Sequence, residues 1–444
     1  MASAAGTFPS HATDHPTHFL TPEDQNYDKH RSLFNSDLSL KPALIAPCST
    51  QADVQNAVRH ANEKDFPIAI KSGGHCFIGT SVNNGGMTLN LRTLAQKVYL
   101  PKDQRLIAGP GVKLGELYNL LLPHGRLLPA GSCSGVGLGG LTLGGGYGLF
   151  ARQYGLTCDH LERVKMVDGT GNVIDSHDDP DLLWACRGGG NGNFGVVTSM
   201  EFRTQKAPKK LGTQRLTARN LNAQKMSAFV EAWFSIIADL AEPIFSALVL
   251  NGSQITVLLT SSYATSGPSF QRTVNALLKA GFSTRGALNT PIAKALKRYY
   301  GRPGPLPFYN VSGGYFEGSK SLSHCRDEII AKVLQNSGLI FQVNTLGGAI
   351  ARAADSAYAH RRFPYLGEVQ AYWQRDSQRD NLIQQVKEIQ TLINAPAHYR
   401  NYPDAELPNF ASSYYGEKLP RLQELKHRYD PHNRFRHQQS ISAL

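Results

Sequence analysis

Ten of the 29 residues in "LPAGSCSGVGLGGLTLGGGYGLFARQYGL", Leu128 to Leu156, are glycine. A regular helix or strand does not carry that density, because each interior glycine costs about 0.5–1 kcal/mol relative to alanine. Such a segment can instead turn tightly and bring bare backbone against a ligand, with several N–H groups converging on one anion. Two more clusters repeat the feature: "KSGGHCF" directly after the apolar run "FPIAI", and "RGGGNGNFGVV" at 187–197. None has the G-x-G-x-x-G spacing between a strand and a helix that marks a dinucleotide fingerprint. One cluster alone reads as a turn-rich β segment. Three together point to one extended cofactor containing a diphosphate.

The chain has 444 residues, 41% of them apolar, which is more than one core usually organises, so two domains are expected. Lys+Arg 46 against Asp+Glu 34 gives a net charge of +12, but the basic residues are scattered singly or in pairs such as Lys209-Lys210 and Arg361-Arg362. No basic stripe with interleaved aromatics appears, which argues against nucleic acid as a partner. No apolar run reaches the 18 or so residues of a membrane span, and the first twenty residues lack the apolar core of a secretory signal. A soluble protein is expected, cytoplasmic or exported with its leader removed. The six cysteines lie far apart without a C-x-x-C pair, so neither a metal site nor a disulfide framework is expected.

Thr50 can cap a helix whose apolar positions Val54, Ala57, Val58 and Ala61 recur at helical spacing, and "FPIAI" then reads as a buried strand feeding the first glycine turn. "MVDGTGNVID" reads as strand, turn, strand. Beyond about residue 205 the glycines thin out, and long amphipathic stretches alternate with strands, which suggests a second α+β domain. The expected division is 1–35 as an N-terminal segment, 36–208 as the cofactor domain, 209–397 as the substrate domain and 398–444 as a returning C-terminal segment. "YYGRPGPLPFYNVSGG", 299–314, reads as an exposed loop with tyrosines available to a ligand. In "AHRRFPYLGEVQAYWQ", Leu366, Glu368, Gln370 and Tyr372 share one face of a strand.

The three glycine segments, together with "YRNYPD" and "YDPHNRF", resemble the flavin-binding module of the vanillyl-alcohol-oxidase superfamily, specifically its berberine-bridge-enzyme-like branch. The match runs from about residue 40 to 205 and resumes at 398–441. The resemblance implies an α+β fold: a PCMH-type FAD-binding domain in two subdomains, plus a substrate domain built on an antiparallel sheet. It implies FAD as cofactor, bonded through His75 of "KSGGH" and Cys133 of "GSCSGVGLGG", as in bicovalent oligosaccharide and hexose oxidases. Lys71, Ser72, Gly73 and Gly74 would cradle the cofactor beside His75, with Cys76 as a small packing residue or diphosphate contact. Val136, Gly137, Gly139, Gly140, Gly144, Gly145, Tyr147 and Gly148 would line it from the second cluster, Gly195 and Val197 from the third. Asn433 belongs to the family's closing segment.

On the substrate side, Glu368 falls where related enzymes carry an acidic or amide residue over the flavin, with Gln370 beside it. Tyr399 and Tyr402 match a Y-x-N-Y motif that brings a tyrosine to the ring. A phenol of ordinary pKa near 10 is a base near neutrality only where its surroundings favour phenolate. Tyr402, Tyr399 and Glu368 therefore all stand as base candidates. The implied reaction is oxidation of an alcohol or hemiacetal carbon, on a sugar or oligosaccharide to its lactone, by hydride transfer to flavin N5 with O2 reduced to H2O2. Tailoring of a glycosylated or aromatic metabolite is the alternative, and a flavin-binding protein without turnover the third reading.

Overall fold

A computed structural model describes residues 18–263 and 265–443. The N-terminal half begins with a parallel three-stranded sheet, β1 (Leu44–Pro47), β2 (Ile68–Lys71) and β3 (Met87–Asn90), in the order β1-β3-β2. Helix α1 (Gln51–Glu63) lies between β1 and β2 and starts in a capping box. Asp53 N–H donates to Thr50 Oγ1 (3.1 Å), and Asp53 Oδ2 accepts from Thr50 N–H (2.9 Å). Its buried face is Val54, Ala57, Val58 and Ala61, as the spacing predicts, and it packs on Ala46, Ile68, Met87 and Leu89. β2 therefore enters the Ser72-Gly73-Gly74 turn from a fixed base.

A second, antiparallel sheet contains β4 (Lys97–Leu100), β5 (Arg105–Ala108), β6 (Leu161–Asp168), β7 (Val173–Asp175) and β8 (Gly195–Arg203), ordered β4-β5-β8-β6-β7. The D-G-T-G turn joins β6 to β7, as expected from the sequence.

The third sheet is antiparallel with seven strands: β9 (Lys210–Ala218), β10 (Ile244–Asn251), β11 (Gln254–Ser261), β12 (Ser283–Pro291), β13 (Phe308–Phe316), β14 (Leu339–Thr345) and β15 (Tyr365–Tyr372), ordered β12-β9-β11-β10-β14-β15-β13. Successive side chains of a strand point to opposite faces, and here the two faces differ in chemistry. Leu248, Val311, Phe341, Val343 and Val369 belong to one apolar core with helices Ala223–Ile237, Arg326–Gln335 and Arg379–Ile393. Their neighbours Asn310, Gln342, Asn344, Glu368 and Gln370 face the cavity described below. The sheet is locked to the N-terminal half by Arg152, whose buried guanidinium donates to the carbonyls of Ile244 (2.9 Å), Leu240 (2.6 Å) and Leu346.

The segment 299–314 is not wholly an exposed loop. Only residues 301–305 are exposed; Phe308–Phe316 is the edge strand β13 and is mostly buried. Its Ser-Gly-Gly stretch, which falls in the segment read as a loop, is a bulge between Ser312 and Gly314. A Cβ on Gly314 would stand 2.2 Å from Ala395 Cβ, so glycine here serves close packing inside a strand. No described helix is long and apolar enough to cross a membrane.

Candidate active site

One cavity of about 1100 Å³ separates the glycine turns from the polar face of the large sheet. That exceeds the roughly 300–1,000 Å³ usual for one small ligand, leaving room for a cofactor and a second molecule.

The glycine wall is made of backbone in contact with backbone. A Cβ on Gly73 would lie 2.4 Å from Gly137 N, and one on Gly137 would lie 2.1 Å from Ser72 Oγ, so the first and second clusters touch at a point where no side chain fits. His75 leaves this turn stacked on Phe34, with ring centroids 4.2 Å apart. Burial, with the Lys113 charge added, pushes its pKa down to about 4, so its imidazole is neutral at ordinary pH. The His75 ring packs against the loop that bears Cys133: a Cβ on Gly135 would be 2.8 Å from His75 Nε2. Cys133 is exposed to the cavity, beneath the loop at 300–305, whose Tyr300 carbonyl accepts from Ser134 N–H (3.2 Å).

The opposite wall centres on Glu368, 6% exposed in the middle of β15. Burial raises its carboxyl to about 8, against the nearby polar groups of Gln370 and Tyr402, which favour the carboxylate. The Tyr402 hydroxyl also meets that of Tyr147 at 2.6 Å, and its ring stacks on Phe77 with centroids 5.2 Å apart. Burial first, and the Glu368 charge second, drive Tyr402 well above the usual phenol range. Tyr399 is spoken for: its oxygen accepts from Gly146 N–H (3.0 Å) and Asn401 Nδ2 (3.1 Å), and its ring edge supports Tyr402.

Lys71, Ser72, Gly73, Gly74, His75, Cys76, Cys133, Val136, Gly137, Gly139, Gly140, Tyr147, Gly148, Gly195, Val197, Glu368, Gln370, Tyr399 and Tyr402 all line the cavity. Three expected contacts lie elsewhere. Gly144 and Gly145 sit behind the wall, where an added Cβ would strike Asn401 Oδ1 at 2.0 Å and the Tyr358 ring at 2.7 Å; they make room for the residues that carry the tyrosines. Asn433 is exposed and left-handed (φ 48°), with its N–H on the Asp430 carbonyl (2.9 Å), so it shapes a turn and does not reach the cavity.

The sequence reading missed a row of amides on the sheet wall. Gln370 Nε2 donates to Gln342 Oε1 (3.4 Å), and Gln342 Nε2 donates to Asn344 Oδ1 (2.8 Å). Asn344 Nδ2 is buried with no partner among the described residues. Asn310 Nδ2 donates to the Tyr372 hydroxyl (2.8 Å). The available signal was the alternation in "LIFQVNT", with polar residues every second position in a strand otherwise fit for a core.

The cavity residues fit a flavin dinucleotide. The glycine wall offers backbone without side chains. Lys71, Arg92 and Lys113 supply positive charge at its edge; the Lys71 ammonium is buried, donates to the His30 carbonyl (2.6 Å), and is held down to about 8 by that burial. Residues 42–176 match the FAD binding domain family, and residues 398–442 the berberine and berberine-like family. The chain is 30% identical to the uncharacterized FAD-linked oxidoreductase YgaK of Bacillus subtilis (strain 168), over 96% of each chain. It belongs to the berberine-bridge-enzyme-like FAD-linked oxidoreductases. Chitooligosaccharide oxidase of Gibberella zeae is 28% identical over 94% of this chain and 90% of that protein. A solved structure of a chitooligosaccharide oxidase superposes with a TM-score of 0.87 at 25% identity, covering 96% of this chain and 97% of the other. Membership of this family makes the protein an FAD-binding oxidoreductase and accounts for the PCMH-type architecture inferred from the motifs.

Proposed function

We propose that this berberine-bridge-enzyme-like protein is an oxidase of an alcohol or hemiacetal carbon on a sugar or oligosaccharide, with FAD carried covalently on His75 and Cys133. The observation that carries the reading is the Glu368–Tyr402 pair, set in a wall of neutral amides and tyrosines opposite the wall that bears His75 and Cys133. Neutral donors and acceptors suit hydroxyl groups, which both donate and accept, better than they suit a charged substrate. FAD, when bound, supplies the hydride acceptor and passes the electron pair to O2, giving H2O2.

The protein's own part is the proton. Burial and the Glu368 charge disfavour a phenolate on Tyr402, so Tyr402 keeps a proton and relays one rather than acting as the net base. As the C–H bond yields its hydride, the substrate O–H donates to the Tyr402 oxygen, and the Tyr402 proton moves to the Glu368 carboxylate. The C–OH becomes C=O, a lactone where the carbon is a hemiacetal. Gln370 lies near the carboxylate and favours its charged form, and Tyr399 supports the Tyr402 ring. His75, neutral and ordered against Phe34, and Cys133, open to the cavity, are the two nucleophiles suited to the covalent links.

An anaerobic panel of mono- and oligosaccharides, read by bleaching of the bound flavin and followed by peroxide detection in air, tests this. Bleaching by one sugar series with stoichiometric peroxide is expected. No bleaching by any sugar, with bleaching by a glycosylated aromatic compound, would replace the reading with metabolite tailoring.

A further inference from the structure

Arg400 is 3% exposed, yet it has no carboxylate partner among the described residues. Its Nε donates to the Tyr415 hydroxyl (3.2 Å), and its guanidinium carbon lies 5.5 Å from the centre of the Tyr414 ring. Nη2 is buried and unpartnered among the described residues. A buried guanidinium stays charged, and leaving a buried charge without an opposite one is among the least favourable arrangements in a folded chain. The fold retains it on the wall of the cavity, which Cys76 also lines.

A second group points the same way. Nδ1 of His437 accepts from Gln439 N–H (3.1 Å), which places the proton of its neutral ring on Nε2. Burial, aided by the Arg400 and Lys426 charges, holds the ring neutral, with its pKa down to about 3. Nε2 is buried, with no hydrogen bond of good geometry to the described residues. His437 also lines the cavity, against Gly192 of the third glycine cluster. Both unmatched donors thus stand on the glycine side, whereas the polar groups of the sheet wall are neutral apart from Glu368.

We propose that Arg400, with His437 beside it, is an anion-recognition site for the FAD itself, taking either a diphosphate oxygen or the N1–C2=O edge of the ring that becomes negative on reduction. The proposal needs FAD but not the sugar reading or the covalent links.

The test compares the parent with Arg400→Met and Arg400→Lys in two measurements on the full chain. The first is the midpoint potential of the bound FAD. The second is the FAD dissociation constant, taken in the parent if its flavin exchanges and otherwise in a His75→Ala/Cys133→Ala background. A diphosphate contact predicts FAD binding weakened by about tenfold or more in Arg400→Met. A ring contact predicts a potential lowered by about 30 mV, the value of a tenfold preference in a two-electron couple. Arg400→Lys should recover part of either effect because the charge stays. Parental affinity and parental potential in Arg400→Met overturn the proposal, whatever happens to the melting temperature. Should Arg400→Met be insoluble, Arg400→Gln takes its place under the same two readouts.

Discussion

The two walls of the cavity are built by opposite means. The glycine wall comes from three compact stretches, 71–76, 131–148 and 191–197, and the first two meet where neither could carry a side chain. The sheet wall comes from single side chains on separate strands: Asn310 on β13, Gln342 and Asn344 on β14, Glu368, Gln370 and Tyr372 on β15. A backbone wall fits a ligand that never changes and leaves little to vary. A side-chain wall can be rewritten one residue at a time with the sheet intact, because its other face holds the core. On the proposed reading, the first wall holds the cofactor and the second selects what is oxidised.

The sharpest way to break this contrast is at Glu368. If the sheet wall supplies the base, Glu368→Gln slows flavin reduction by the roughly 100- to 10,000-fold of a lost general base while FAD stays bound. Tyr402→Phe, which removes the relay but not the acceptor, should cost less, and stopped-flow reduction of both variants decides. A larger loss in Tyr402→Phe makes the phenol the base. The pH dependence gives an independent check. With its carboxyl raised to about 8, Glu368 is mostly protonated below that pH and cannot accept, so the reduction rate should rise through pH 8 and level off above it. Stability has the opposite sign. A carboxyl whose folded pKa lies above its unfolded one favours the native state when protonated, and that contribution is lost as pH rises toward and through 8. Glu368→Gln should flatten both profiles.

On the glycine wall the next effects concern the cofactor and its reoxidation. His75→Ala and Cys133→Ala should each leave flavin attached to denatured protein through the other residue, and the double variant should release it; free flavin from the denatured parent would remove the covalent reading. Val136 lines the cavity beside Gly137 in "CSGVG", and we propose that it governs access of O2 to the reduced flavin. Packed sites leave little spare volume, so one more methylene there should exclude O2. Val136→Leu is expected to reduce at the parental rate and reoxidise more slowly in air; unchanged reoxidation would make Val136 ordinary wall.

The same contrast explains what the sequence revealed. His75, Cys133 and the turns around them were legible because a glycine cluster is a local signal: the residues that line the cavity there are neighbours in the chain. Glu368, Gln370 and the two tyrosines were legible only through motif position and one strand's alternation. Asn344 and Asn310 were not, because their strands become a wall only when β13, β14 and β15 assemble from 65 residues of chain. Gly144, Gly145 and Asn433 show the converse. A motif glycine can serve the layer behind the ligand, and a motif asparagine can serve the left-handed turn that it tolerates better than most residues.

The smallest predicted effect tests the substrate wall most directly. Asn344 is 2% exposed and keeps Nδ2 unmatched, whereas its Oδ1 is already held by Gln342. An amide fixed on one side and free on the other is set to donate to a ligand oxygen. It is two strand positions from Gln342 and one strand away from Glu368, so it is placed to bind the substrate away from the reacting carbon. A hydrogen bond of this kind contributes about 0.5–1.5 kcal/mol. Asn344→Ala should therefore raise KM for the preferred sugar by a few-fold to about tenfold with kcat little changed, since a contact made equally before and during reaction affects binding alone. Asn344→Asp offers an acceptor where a donor is needed and should be no better. If Asn344→Ala instead lowers kcat at constant KM, the amide row acts on the reacting centre, and the division between a wall that binds substrate and a pair that moves the proton has to be redrawn.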